Sequence, residues 1–191
     1  MKIVDLGCGQ RKYFSENKKD VVIGVDFYDD SKLVDVKHDL DKYPYPFKAN
    51  EFDLVYSSHV IEHVADPFRF VDEIYRIAKP GAKVIIKAPH FSYAFAHAQH
   101  KNAVGIGYFE TMGVTDKNAW TEKRTGAKFK LLKRKFTYML GKSGKLTWPI
   151  FALLNLVLNF FANLNPFLCE RIWCYWFGGF EEIYFELEVI K

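Results

Sequence analysis

Ile3-Val4-Asp5-Leu6-Gly7-Cys8-Gly9 is a short apolar run that ends in an acidic, glycine-paired turn. A strand closing on D-x-G-x-G lets backbone N–H groups and a carboxylate converge on a small ligand. Gly7 and Gly9 have no Cβ, so a ligand can approach the main chain closely and positive φ is permitted. Glycine pairs after strands are common, and an ordinary strand-to-helix turn reads the same in isolation. The segments that follow separate the two readings.

Val21-Val22-Ile23-Gly24-Val25-Asp26 is a second apolar run ending in a carboxylate, 21 residues after Asp5. In a nucleoside-binding α/β sheet, an acidic residue at the tip of the second strand accepts hydrogen bonds from ribose hydroxyls at about this spacing. The turn lacks a full G-x-G-x-x-G, because Lys12 stands where the third glycine would be. That argues against pyrophosphate packing on a helix N-terminus, and so against NAD or FAD. A nucleoside without a phosphate fits better.

In order along residues 1–91 stand VDLGCG, VIGVD, HDL at 38–40, YPYPFKANEFDLVYSSHVIEHV at 43–64 and RIAKPGAKVIIKAP at 76–89. Together they resemble the class I S-adenosylmethionine-dependent methyltransferases, in particular the broad small-molecule type 11-like group. The resemblance implies an α/β Rossmann-like sheet, mostly parallel with an antiparallel last strand and helices on both faces. It implies S-adenosyl-L-methionine as cofactor. Asp5, Gly7 and Gly9 would surround its methionine part and Asp26 would hold the ribose. Asp39, with the Leu40 backbone, would sit at the adenine amino group. Ser57 would lie near the sulfonium and amino end. Each has a plainer reading: Asp39 as a turn residue, Ser57 as a strand cap.

Length bounds the rest. The 191 residues suit one methyltransferase domain. Residues 1–91 would form its cofactor half, 92–178 its acceptor and cover region, and 179–191 its last strand. Cys8, Cys169 and Cys174 are odd in number and lack zinc-type spacing, which reads as reduced thiols in a cytoplasmic protein. Met1 leads almost at once into the first strand, with no signal-peptide pattern. The helical segment that usually covers the cofactor in this class is not seen before the glycine turn. The C-terminal half or a second subunit would then supply the cover, or the site is more open.

Alternating short apolar strands and helical stretches predict a parallel sheet. Strands are expected near 2–6, 21–26, 33–37, 53–58, 83–88, 128–137 and 182–190, the sixth alternating imperfectly. In the resembled family the final strand inserts antiparallel between strands five and six. A very short helix is expected between Gln10 and Asp20. A longer one starts at Asp66-Pro67, with Asp66 as N-cap and Phe68, Val71, Ile74, Tyr75 and Ala78 as its apolar face. Pro80-Gly81 is expected to end it.

All six histidines fall between 38 and 100. His59-Val60-Ile61-Glu62-His63 spells H-x-x-E-H, a zinc-peptidase pattern. It also stands where the resembled family has an apolar-Glu-His run with a structural role, so no metal site is assigned. His90 follows the fifth strand, and ligands in open α/β sheets bind outside the strands' carboxyl ends. The substrate-binding candidates are His59, His90, Phe91, Tyr93, His97 and His100. Among them His90 is the candidate general base, since imidazole titrates near neutrality. A metal site or a plain solvated loop are the competing readings of the histidine cluster.

Charge is unevenly spread. Residues 117–145 hold 10 basic residues and one acidic, whereas 1–116 hold 15 basic and 17 acidic. Leu146–Leu168 contains no charge, and a helix is expected near 148–164. Its Asn155, Asn159 and Asn163 recur every four residues as one polar stripe. Such a helix is short for a bilayer span and suits an interface. A substrate lid, a homodimer surface, the domain's own core and peripheral membrane contact through 117–164 all fit. The resulting reading is methyl transfer to an oxygen or nitrogen nucleophile of a small-molecule or lipid-linked acceptor. A nucleic-acid methyltransferase is the first alternative, supported by the basic block but lacking an N/D-P-P-Y/F-type motif. A non-catalytic methyltransferase-like binding or membrane-associated module is the second.

Overall fold

The computed structural model describes residues 1–28, 32–94, 97–115, 125–139, 149–176 and 179–191. Among the described residues seven strands form one sheet: β1 (Lys2–Leu6), β2 (Val21–Asp26), β3 (Val36–Lys37), β4 (Phe52–Ser58), β5 (Ala78–Pro89), β6 (Phe129–Thr137) and β7 (Glu182–Val189). Their order is β3-β2-β1-β4-β5-β7-β6. Pairing is parallel from β3 through β5, and β7 runs antiparallel between β5 and β6. The expected mostly parallel sheet with an inserted antiparallel last strand is therefore present.

The sequence sets this order through burial. The interior strand β1 reads as a continuous apolar run, and four of its five residues are buried. Strand β7 alternates instead, placing Ile183, Phe185, Leu187 and Val189 in the core. Strand β6 lies at the sheet edge and its register shifts between Leu131 and Lys133, so Leu132 has no partner on β7. That bulge is why its alternation looked imperfect. The described part of the basic block follows from the same position. Lys130 and Lys133 stand opposite Glu188 and Glu186, and Arg134 pairs with Glu110 at 2.6 Å. Lysines on an edge strand also discourage edge-to-edge pairing. Residues 117–124 and 140–145 of the block lie outside the described residues.

Helix α1 (Pro67–Ile77) starts as expected: the Asp66 carboxylate accepts from the N–H groups of Phe68 and Arg69. It ends earlier than expected. Ala78 is extended (φ −75°, ψ 144°) and pairs with Phe52, so Pro80-Gly81 belongs to β5 rather than to a helix stop. The buried face is Phe70, Val71, Ile74 and Ile77, with Phe68 and Tyr75 only flanking the core. Two further expectations change. No helix forms between Gln10 and Asp20: the Tyr13 N–H donates to Asp5 Oδ2 at 2.6 Å, and Asp20 takes bonds from Ser15 and the chain terminus. Strand β3 shrinks to Val36–Lys37, because Asp35 turns its carboxylate to the Gly24 N–H at 2.6 Å.

Beyond β5 come two single-turn helices, α2 (Phe91–Ala94) and α3 (Tyr108–Thr111), then β6 and the apolar helix α4 (Pro149–Leu164). A helical segment from Pro166 to Trp176 follows, bent 106° from α4 and containing a π-helical turn at Cys169–Trp173. Among the described residues no single helix is long and apolar enough to cross a membrane.

Candidate functional site

Strands β1, β2 and β4 end side by side, and their carboxyl ends carry the site. Gly7 takes φ +78° and Gly9 φ +48°, which other residues adopt only with strain. A Cβ on Gly7 would also meet Val60 Cγ2 at 2.2 Å, so the two turns press together there. The N–H groups of Gly7 and Cys8 both donate to the Val25 carbonyl, which ties the turn to β2. Asp26 closes the ring: its Oδ2 accepts from the Gly9 N–H at 2.8 Å and its Oδ1 from the Tyr28 N–H at 3.0 Å.

Two clefts meet at this turn. One, of about 280 Å³, is lined by Gly7, Asp26, Phe27, Tyr28, Asp39, Leu40, Asp41, His59, Val60, His63 and Val64. The other, of about 500 Å³, is lined by Asp5, Gly7, Cys8, Gln10, Arg11, Tyr56, Ser58, His59, Lys87 and Glu182. Gly7 and His59 belong to both. The first combines an acidic residue at the β2 tip with aromatic and apolar walls, which suits a ribose and a base. The second combines a buried carboxylate with donors, which suits an amino acid.

Asp5 is 1% exposed. Burial pushes its carboxyl pKa up to about 6, helped by the Asp26 charge and opposed by the Tyr13 N–H and Lys12. Lys12, in the place of a third glycine, pairs with Asp35 beside β2. His59 follows β4 with φ +58°, unusual for a residue with a side chain. Its Nε2 lies 3.2 Å from Glu182 Oε2 and its Nδ1 3.6 Å from Glu62 Oε1.

Ser57 departs from its expected role. Its hydroxyl is buried and donates to the Leu6 carbonyl at 3.2 Å, joining β4 to β1, and it lines neither cleft; Ser58 does. The candidate acceptor residues beyond β5 do not form one pocket. His90 is 0% exposed. Its Nδ1 lies 2.6 Å from Ser92 Oγ, its Nε2 3.0 Å from Glu170 Oε2, and its ring packs on Phe91 and Phe136. Both ring nitrogens are engaged and it lines neither cleft, so it is a buried strut rather than an exposed base. Phe91 turns with it toward Glu170 and a separate cavity of about 540 Å³. Tyr93 points into solvent. His97 and His100 stack on each other at 4.5 Å, and His100 meets His63 at 4.9 Å.

Among the lining residues that sequence reasoning missed are Phe27, Tyr28, Asp41 and His63 on one side and Gln10, Arg11, Lys87 and Glu182 on the other. Phe27 and Tyr28 directly follow Asp26, so their nearness to it offered a signal. Glu182 reaches the site through the insertion of β7 beside β5, which pairs it with Pro89; no local pattern marks it.

Residues 4–86 match the family model described as a methyltransferase domain. The chain is 31% identical over 101 residues to a chloroplastic tocopherol O-methyltransferase of Arabidopsis thaliana, covering 44% of this chain and 29% of that protein. It is 46% identical over 41 residues to norajmaline N-methyltransferase of Rauvolfia serpentina, covering 22% and 14%. The chain thus spans well under half the length of these relatives. Its fold is similar to that of an S-adenosylmethionine-dependent methyltransferase from Mesorhizobium loti, with TM-score 0.55, 16% identity and coverage of 98% and 90%. It is similar also to phosphoethanolamine N-methyltransferase 2 of Haemonchus contortus, solved with phosphomonomethylethanolamine and S-adenosylhomocysteine, with TM-score 0.58, 16% identity and coverage of 100% and 49%. Residues 4–86 thus match a methyltransferase domain, and the fold is similar to that of S-adenosylmethionine-dependent methyltransferases.

Proposed function

We propose that the chain transfers the sulfonium methyl of S-adenosylmethionine to an oxygen or nitrogen nucleophile of a small acceptor carried on a lipid. The observation that carries the cofactor half is the pair of clefts joined at Gly7, one holding Asp26 and Asp39 and the other Asp5. Asp26 would take the ribose, the Asp39–Leu40 turn the adenine, and Asp5 with the Gly7–Gly9 turn the amino-acid end. A cationic amino group offsets the burial cost that raises the Asp5 pKa. The cofactor supplies an electrophilic methyl, and the chain's task is alignment and exclusion of water. His59 stands where both clefts meet, held by Glu182, and is the residue best placed to meet an acceptor.

The lipid half rests on α4. Its asparagine stripe faces inward: Asn163, Asn159 and Asn155 accept from the N–H groups of Phe136, Tyr138 and Met139 at 2.8, 2.8 and 3.1 Å. The apolar face is thereby turned outward. Ile150, Leu153, Leu156, Phe160, Phe161 and Leu164 are between 60% and 69% exposed. An apolar patch of this extent marks an interaction surface. Beside it run the exposed Lys130, Lys133 and Lys135 of β6, and Tyr175 and Trp176 stand exposed past its far end. Apolar face, adjacent lysines and flanking aromatics are what an anionic bilayer surface takes up. An apolar groove of about 460 Å³ between α4 and the Pro166–Trp176 segment offers room for an acyl chain.

Methyl-labelled cofactor incubated with the chain and whole-cell extract tests the acceptor class. Label is expected in the organic-soluble fraction, and in none when Asp26→Ala replaces the wild type. Label in water-soluble small molecules alone, or in RNA, would overturn the lipid assignment.

A further inference from the structure

Glu62 is 1% exposed, and neither oxygen of its carboxylate has a hydrogen-bond partner. A buried carboxylate in that state needs a compensating charge or a proton. Its neighbours are imidazoles. His63 Nε2 lies 3.7 Å from Oε1, and ligand atoms of Glu62, His63 and His100 all fall within 4.8 Å of one another. The Glu62–His63 separation is too wide for a hydrogen bond. Two ligands on one zinc ion, at bonds of about 2.0–2.1 Å and a tetrahedral angle, stand about 3.3 Å apart.

The surroundings orient these groups as a ligand set. His63 Nδ1 lies 3.1 Å from the Gln99 carbonyl, which can only accept, so Nδ1 carries the proton. In the neutral ring Nε2 then keeps its lone pair, 3.7 Å from Glu62 Oε1, and a backbone carbonyl behind a ligating histidine is the common supporting arrangement. The loop that brings His100 is fixed to the same turn. The N–H groups of Lys101 and Asn102 donate to the Glu62 carbonyl at 2.7 and 3.2 Å. The Asn102 side chain donates to the carbonyls of Ile61 and Val64 at 3.0 and 2.8 Å.

We propose that Glu62, His63 and His100 bind one divalent first-row transition-metal ion, with zinc the best match to two imidazoles and a carboxylate. This differs from the peptidase pattern, where Glu62 would be a base and His59 a ligand. Three protein ligands leave coordination positions open, and His63 also lines the smaller cleft, so water or an acceptor oxygen has access to the ion. The ligand set does not depend on methyl transfer.

Calorimetric titration of the chelator-treated chain with zinc chloride tests it, with the visible spectrum of cobalt(II) as a second readout. One ion per chain is expected to bind. His100→Ala and His63→Ala should each weaken binding at least tenfold and remove the cobalt spectrum. Glu62→Gln, which preserves shape, should do the same. Circular dichroism of each variant checks its fold. His97→Ala and Cys169→Ser should leave affinity within a few-fold. Absence of saturable binding by the wild type would overturn the proposal. So would binding that survives both His63→Ala and His100→Ala, or that is lost only with the cysteine.

Discussion

Asp5 shows how one side chain ties the turn together beside the proposed cofactor cleft. Its pKa in the native state, about 6, lies above the ordinary carboxylate value of 3.8 because burial disfavours the charge. The native state therefore holds the proton more tightly than the unfolded chain. The stability this contributes is present in full below about pH 4 and is lost as pH rises through about 6. Without cofactor, the chain is expected to melt at lower temperature at pH 7.5 than at pH 5, and Asp5→Asn to flatten that dependence. Its loss is on the order of 3 kcal/mol at most. Thermal melts across pH check this, and equal slopes in both proteins would contradict it. His90 carries a different prediction. It is buried between Ser92 and Glu170, and Glu170 also accepts from the Ile106 N–H at 2.6 Å. His90→Ala strips a partner from a largely buried carboxylate, so it should cost about 2–4 kcal/mol in denaturant unfolding while leaving cofactor affinity within a few-fold. Its position after β5 was legible in the sequence. Its burial was not, because Glu170 lies 80 residues away and arrives through the helical segment after α4.

Elements were readable where short-range residue patterns decide them. The N-cap at Asp66, the ends of β1, β2 and β4, and the start of β7 follow from local residue patterns. The helix end at Ile77 was not, because pairing of Ala78 with Phe52 outcompetes the helical signal of the sequence before Pro80. Nor was a Gln10–Asp20 helix a safe expectation, since Asp5 takes the Tyr13 N–H for itself. The asparagine stripe of α4 was visible, but its direction was not. Apolar residues ordinarily turn inward; here the backbone edge after β6 supplies donors that only the asparagines satisfy. Asn159→Ala leaves the Tyr138 N–H unpartnered by that side chain and removes the bond to Asn155. A loss of about 1–3 kcal/mol is expected, with hydrogen exchange accelerated first at Phe136–Met139. Unchanged exchange there would contradict the strut role of the stripe.

At the scale of the whole molecule, the sheet places the clefts at one end and α4 presents a broad apolar face bordered by lysines. Flotation with phosphatidylcholine vesicles should recover little protein, and addition of phosphatidylserine should recover most of it. The double variant Leu153→Glu, Leu156→Glu should stay in solution. A stable dimer by light scattering, with no vesicle binding, would contradict the membrane assignment. The order of segments along 1–91 made the parallel part of the sheet and the candidate cofactor clefts legible together, whereas the acceptor region scattered because its histidines serve two separate clusters. The central claim is that the Gly7–Gly9 turn and Asp26 form a cofactor site, and calorimetric titration with S-adenosylmethionine and S-adenosylhomocysteine tests it most directly. Micromolar binding of both by the wild type, weakened at least tenfold in a folded Asp26→Ala variant, is the predicted result. Binding that Asp26→Ala leaves unchanged, or no binding at all, would contradict it.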